Sequence, residues 1–422
     1  MIGGLLKSTS RLAIIAAAGM FVGGLALTPA QAADLGGDCC ADLEERVADL
    51  EATTARKGNR KVSLKISGHV ARDFGWYEDE YGDSEVYSSG HGPSGTRLQF
   101  SGSAKLTASW TAGYTLRFRM NPDRNSSALG VAGESGGAGN SGVDMDRNYV
   151  YLKNDTLGTF IVGQAGAPTG GVAGISLGGH GVTGDTGGDD WNGSTVNGFN
   201  FEQDGAHQAI AYISPTIAGF TFAVAWSDLD DASANNGSSD SGLDAWDMAL
   251  RYANEFGPIR LAAGIGYTTV DNDESALGDS AVVMGSVALL HTPTGLNVAF
   301  AAGTEIDGGL PIGAVGTTAY NDDTTDAQFW HVQGGLNQNY FGPGNTAIYG
   351  EYGNYDYDNA GIVDDTVEMW GLGIVQHFDS AATELYVAYR HWEQDVDDGA
   401  NGVAAGTDGD VDQIMAGMRI KF

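Results

Sequence analysis

The chain has 422 residues, 65 of them glycine, and only 18% are charged; 54 acids outnumber 21 Lys and Arg, for a formal charge of −33. A balance so acidic excludes nucleic acid and anionic lipid as electrostatic partners. The composition is not that of an ordinary soluble globule, and beyond the N-terminal stretch no segment approaches the ~20 apolar residues of a membrane-spanning helix.

Lys7 and Arg11 precede an apolar stretch from Leu12 to Leu27, which runs into Thr28-Pro29-Ala30-Gln31-Ala32. Basic, apolar and Ala-x-Ala parts in that order predict a secretory signal over residues 1–32, cut after Ala32. A transmembrane helix competes with this reading, but the apolar run of about 16 residues is interrupted by glycines and falls short of a span. Cys39 and Cys40 follow as an adjacent pair. Export permits their oxidation, but they stand too near the start to staple the main body. Lipidation needs a cysteine at the end of the apolar segment, and here Asp34 and Asp38 intervene.

Residues 33–61 are expected to form an N-terminal periplasmic segment. Within it Leu43, Val47, Leu50 and Thr54 recur at steps of four, three and four, the spacing of a coiled-coil seam. Two heptads are marginal alone, so this helix either frays as an acidic linker or is held by sister copies. Arg56 to Lys61 then makes a basic connector.

From Val62 the period changes to two: Val62, Leu64, Ile66, Gly68 and Val70 alternate with Ser63, Lys65, Ser67, His69 and Ala71. The alternation recurs through Leu98–Leu106 and Tyr114–Met120, then near 145–154, 157–166, 206–214, 219–228, 245–256, 259–270, 279–292, 295–306, 326–341, 344–356, 365–379, 381–395 and 409–422. That makes roughly sixteen strands. Seven short connections, at 109–113, 154–157, 214–219, 255–258, 292–295, 341–345 and 378–382, carry turn residues, and they alternate with long, acidic, Gly-rich ones. The acids are expected mostly in those loops, with strands nearly free of them.

Short turns at one end and long loops at the other predict an all-β chain: a 16-stranded antiparallel transmembrane β-barrel over residues 62–422, in the outer membrane. A soluble β-sandwich also alternates, but it predicts a polar exterior. Strands near the 9 to 11 residues needed to cross a bilayer, with Phe74, Trp76, Trp226, Trp246, Trp330, Tyr340 and Trp392 near their ends, favour the membrane.

The last strand sets Ile414, Ala416, Met418, Ile420 and Phe422 on one face. An ordinary terminal strand is the plain reading, yet this ending, Met418, Ile420 and Phe422 above all, resembles the signal that outer-membrane proteins present to their assembly machinery. Leu157-Gly158-Thr159-Phe160-Ile161-Val162-Gly163-Gln164 leads into the longest loop, about 167–205, which begins Ala167-Pro168-Thr169-Gly170-Gly171. This resembles the strand before the third loop of trimeric general porins. The resemblance implies a loop that folds inward and narrows a pore, with Asp185, Asp189 and Asp190 as its acids. Alternation assigns Arg97, Lys105, Arg117, Arg119, Arg147, Arg251, Arg260, Arg390, Arg419 and Lys421 to the lumen, because charge on the lipid face is costly. Arg97, Arg117, Arg119 and Arg147 are expected as the basic wall, although such bases also serve merely to solvate the interior.

The whole stretch from Asp38-Cys39-Cys40 through Leu43, Val47 and Arg60-Lys61-Val62, followed by the strands and Phe422, is similar to the alphaproteobacterial, rhizobial-type porin family. The resemblance implies a homotrimer that passes small hydrophilic solutes without a cofactor, lying among outer-membrane lipid and lipopolysaccharide. Adjacent rather than spaced cysteines depart from some members of that family. A substrate-selective channel is the nearest alternative, followed by an outer-membrane hydrolase barrel and a tether whose N-terminal helix grips cell-wall material. The eight histidines form no His-x-x-x-His pair and no nucleophile elbow is evident; Asp395-Val396-Asp397-Asp398-Gly399 lacks the closing Glu of a calcium loop, so no metal site is expected.

Overall fold

The computed structural model describes residues 61–79, 84–89, 95–121, 142–184, 201, 206–228, 243–272, 280–308, 325–359, 363–398 and 409–422. The signal, the Cys39–Cys40 pair, the helix of Leu43, Val47 and Leu50, and the acids Asp185, Asp189 and Asp190 lie outside the described residues.

Alternating sequence becomes strand throughout: β1 (Lys65–Asp79), β2 (Ser84–Ser89), β3 (Arg97–Lys105), β4 (Trp110–Asn121), β5 (Gly142–Asn154), β6 (Gly158–Gly166), β7 (Ala206–Ile213), β8 (Phe220–Asp228), β9 (Leu243–Phe256), β10 (Ile259–Asn272), β11 (Ser280–His291), β12 (Leu296–Gly308), β13 (Thr325–Gln338), β14 (Thr346–Asn359), β15 (Val363–Phe378), β16 (Thr383–Asp398) and β17 (Gly409–Lys421). They form one closed 17-stranded sheet of antiparallel neighbours. β3 pairs with Lys65–His69 of β1 and β2 with Asp73–Glu78, along the flank away from β17. The two therefore share one position, and the barrel has sixteen staves.

β2 falls where a loop is expected from the sequence, because β1 continues to Asp79 and its upper half needs a partner. A second difference concerns the first short turn. It bends at Leu106–Ser109 and β4 already starts at Trp110, since the Thr107 hydroxyl accepts hydrogen bonds from the amides of Ser109 (3.4 Å) and Trp110 (3.1 Å). Gly113 is thereby a strand residue facing the Tyr151 ring rather than a turn residue.

β1 and β17 close the barrel from His69↔Lys421 to Asp79↔Val411. Gly68 and Phe422 extend the seam: the Gly68 amide donates to the Phe422 carbonyl (2.9 Å) and the Phe422 amide to the Gly68 carbonyl (3.0 Å). A Cβ on Gly68 would stand 2.2 Å from the Arg97 carbonyl and 3.0 Å from the Phe422 ring, so the seam requires glycine there. Closure leaves no unpaired edge, as backbone in hydrocarbon demands.

The faces are inverted relative to a soluble sandwich. Val70, Phe74, Val150, Val162, Ile210 and Leu372 point outward and are exposed, while Asp73, Gln99, Asp247, Glu351 and Gln413 point inward and are buried. Apolar surface of this extent in water would cost roughly 25 cal/mol per Å²; against lipid tails it costs nothing. Outward aromatic pairs ring both ends: Phe160–Tyr212 (5.1 Å) and Phe220–Tyr252 (4.5 Å) near the short turns, Trp330–Tyr352 (5.3 Å) and Trp370–Tyr389 (5.2 Å) towards the long loops.

Candidate functional site

The arginines of the early strands meet on the inner wall. Register sets Arg97 opposite Arg119 and Gln99 opposite Arg117 across β3 and β4, and Arg117 opposite Arg147 across β4 and β5. Between Arg117/Arg147 and Phe118/Met145 the register shifts by one residue, which makes Asp146 a β-bulge. A bulge turns two consecutive side chains to one side. Asp146 thus joins Arg147 inside the barrel and meets the Arg117 guanidinium in a two-pronged contact, with Nε and Nη2 each 2.8 Å from a carboxylate oxygen. Arg119 lies 3.9 Å from the same carboxylate, and Arg147 donates to the Asp146 carbonyl at 2.7 Å. Three guanidinium groups therefore gather at Asp146, and Arg97 stands opposite one of them, Arg119.

Asp146 is absent from the residues expected from the sequence, although a signal for it exists. Val143 and Met145 are apolar at odd positions and Val150 and Leu152 at even ones, so the phase of alternation changes between them. A change of phase within one strand is what a bulge produces.

Opposite this wall lies the first part of the long loop. In a barrel of sixteen staves β4 and β12 stand eight apart, and residues 167–184 run along the inner side of the strands centred on β12. The root is held by Asp247 of β9, which accepts from the Thr169 amide (2.6 Å), the Thr169 hydroxyl (2.6 Å) and the Thr268 hydroxyl (2.7 Å). Arg251 of β9 donates to the carbonyls of Gly170 (2.6 Å), Gly171 (3.1 Å) and Pro168 (3.2 Å). Ser286 of β11 donates to the Val172 carbonyl at 2.5 Å. Further along, His180 stacks on Tyr349 with ring centroids 4.3 Å apart, Tyr349 donates to the Thr183 hydroxyl (2.7 Å), and His377 bonds the Gly179 carbonyl (2.8 Å). Val172, Ala173 and Phe201 pack with Met284, Phe329, Tyr355, Met369 and Trp392 into an apolar core inside the barrel. Phe201, outside any strand, is at φ 55.

The other inward bases are placed as alternation requires, but several are engaged with acids or with the loop. Arg390 and Glu351 form a buried pair at 2.8 Å, to which Gln333 adds a 2.8 Å hydrogen bond. Arg419 and Lys421 flank Glu384 at 2.5 and 2.6 Å, and Arg260 meets Glu255 at 2.5 Å. Strands nearly free of acids are therefore not what the structure has. Asp73, Asp146, Asp247, Glu305, Glu351 and Glu384 all occupy strand positions. Glu78, Asp228 and Asp395 to Asp398, assigned to loops from the sequence, also lie within strands. Inward acids are paired with inward bases or hydroxyls, and this makes charge tolerable at buried positions.

The model of a family described as Gram-negative porin matches residues 16–418. Among solved structures, the anion-selective porin from Comamonas acidovorans superposes with a TM-score of 0.57 at 15% identity, covering 86% of this chain and 100% of that one. Outer-membrane expressed OmpT of Vibrio cholerae gives 0.54 at 12%, covering 86% and 99%, and Salmonella typhi OmpF in complex with daunomycin gives 0.54 at 16%, covering 86% and 98%. No curated protein matches the chain significantly in sequence. At these identities the solved structures establish the fold, and the family model establishes descent. A closed barrel with an apolar outer wall, a charged inner wall and a family match over nearly its whole length is an outer-membrane diffusion channel, and the chain belongs to the Gram-negative porin family.

Proposed function

We propose that the narrowest section of this channel lies between the arginine wall of β3–β5 and the inward loop that begins at Ala167, and that it passes small hydrophilic solutes according to size and charge. The observation that carries this reading is the gathering of Arg117, Arg119 and Arg147 at Asp146, with Arg97 opposite Arg119 in register, eight staves from the loop-lined wall. Arg117 and Arg119 keep 18% and 35% of their side chains accessible, so a passing anion can reach them. Fixed charges on one wall produce a transverse field that orients dipolar solutes. With Asp185, Asp189 and Asp190 on the loop, that field would run from base to acid across the opening. Acids at the mouth concentrate cations while the wall resists them, and selectivity is modest as a result. The Comamonas porin is anion-selective by its description, and a basic inner wall is the feature that would incline this channel the same way.

The channel carries out no catalysis in this reading and works as a homotrimer of the alphaproteobacterial, rhizobial type. Support for the trimer comes from the seam of Leu43, Val47 and Leu50, which needs partners, and from OmpT of Vibrio cholerae, described in a trimer form. Met418, Ile420 and Phe422, all outward and exposed, are offered to the assembly machinery. Planar-bilayer recording tests the whole. Insertion should give conductance in three equal steps, and R117A/R119A should raise the cation-to-anion permeability ratio about twofold or more. A silent protein defeats the channel reading; an unchanged ratio defeats the arginine wall as its selective element.

A further inference from the structure

The outer wall carries a second constellation, remote from the lumen. At the long-loop end of β15–β17 three outward rows succeed one another: Leu372↔Tyr389↔Ile414, then Trp370↔His391↔Asp412, then Glu368↔Glu393↔Asp410. The first row belongs to the lipid band and its aromatic rim. The third sets three carboxylates directly beside one another across three strands, an arrangement that repulsion makes unfavourable unless something cationic offsets it.

A cation has a place here. One ring nitrogen of His391 and one carboxylate oxygen each from Glu393 and Asp410 lie within 4.8 Å of one another. The imidazole is oriented from outside that trio. Asp412 accepts from His391 Nδ1 at 2.9 Å and from the Tyr389 hydroxyl at 2.5 Å, and the Trp370 ring packs against the imidazole at 5.7 Å. A carboxylate that takes the Nδ1 proton fixes the tautomer and leaves the Nε2 lone pair for a metal, which is how ligating histidines are prepared in metal sites.

We propose that His391, Glu393 and Asp410 bind a divalent cation of the zinc class on the outer wall, at the level where lipid headgroups meet the aromatic rim. The donor set decides the class. One imidazole with two carboxylates suits zinc and its first-row neighbours, whereas calcium and magnesium favour all-oxygen shells. A partly exposed trio leaves a coordination position open for water or for a phosphate oxygen of the surrounding lipid. The sequence did not reveal the site because its ligands come from two strands joined by a long connection and meet only through register.

The test uses the full-length folded channel, freed of metal by chelation, titrated calorimetrically with zinc and separately with calcium. Zinc should bind at one ion per chain, H391A and E393Q should each weaken it at least tenfold, and D412N should weaken it by a smaller factor through loss of imidazole orientation. All three variants should keep wild-type conductance, since the residues face away from the pore, and should still run as folded barrels. Zinc affinity indifferent to H391A, or calcium bound as tightly as zinc, would overturn the proposal in favour of a diffuse acidic belt; absence of zinc binding would overturn it outright. The pore reading survives any of these outcomes, because conductance reports on it separately.

Discussion

The two halves of the inner wall treat charge in opposite ways. Along β9–β17 the loop lies against the wall, and Arg251, Arg390, Arg419 and Lys421 are tied to carbonyls or carboxylates. Along β3–β5 three arginines meet at one bulged aspartate, and a fourth, Arg97, stands opposite Arg119. The same residue type thus builds rigidity on one side and field on the other. What differs is the number of acids that register brings within reach.

That contrast can be tested hardest at Glu351. Replacing it with alanine withdraws the carboxylate from a fully buried guanidinium, which costs about 3–5 kcal/mol. The folded barrel should lose its heat resistance in gel-shift melting, and E351L/R390L should regain most of it. Asp247→Ala comes next. It strips the loop root of two hydrogen bonds to a charged group, a loss of about 3 kcal/mol, and leaves the Thr268 hydroxyl of β10 without that acceptor; proteolysis should then reach the loop, and single-channel current should become noisier.

Acid provides a graded version of the same experiment. Burial pushes the loop residue His180 down to about 4, against the opposing pull of Glu351, with Arg390 adding to the depression. Docked His180 therefore binds its proton less readily than undocked His180. Docking is fully favourable above about pH 6.5 and weakens by up to tenfold per unit as pH falls towards 4. Loop accessibility measured from pH 7 to 4 should rise on that curve, and H180F, which keeps the stack on Tyr349, should flatten it.

On the arginine side the expected effects are smaller. Asp146→Asn removes the charge that Arg117, Arg119 and Arg147 share and should shift the permeability ratio towards anions by about twofold, opposite in sign to R117A/R119A. Arg260→Ala should do almost nothing. Its partly exposed pair with Glu255 is worth about 0.5 kcal/mol, and melting and reversal potential should both stay near wild type.

Period-two alternation made the strands legible because one face meets lipid and the other water, so hydrophobicity itself records the fold. The same alternation puts Arg117, Arg251, Arg390 and Arg419 on the inner face, where Asp146, the loop carbonyls, Glu351 and Glu384 meet them. It failed where a polar contact overrides the pattern. Thr107 moves the first turn by capping amides, Asp146 enters through a bulge, and the long reach of β1 creates β2. The loop anchors were invisible for another reason: Asp247, Arg251 and Thr169 look like unrelated polar residues until the path of the loop unites them. Partnership across many residues leaves no local trace.

The seam between β1 and β17 differs from most of the sheet, where neighbours adjoin in sequence as well as in space. Joining Gly68 to Phe422 closes a circuit of the whole barrel, so this contact is among the most sequence-distant and is slow to form. Until it does, the sheet presents two open margins able to take up a strand from another molecule. The fit of the Phe422 ring over a side-chain-free Gly68 therefore bears on the yield of assembly as much as on the finished channel. A chain with a bulkier residue at position 68 would be expected to aggregate during insertion before any loss of transport could be measured.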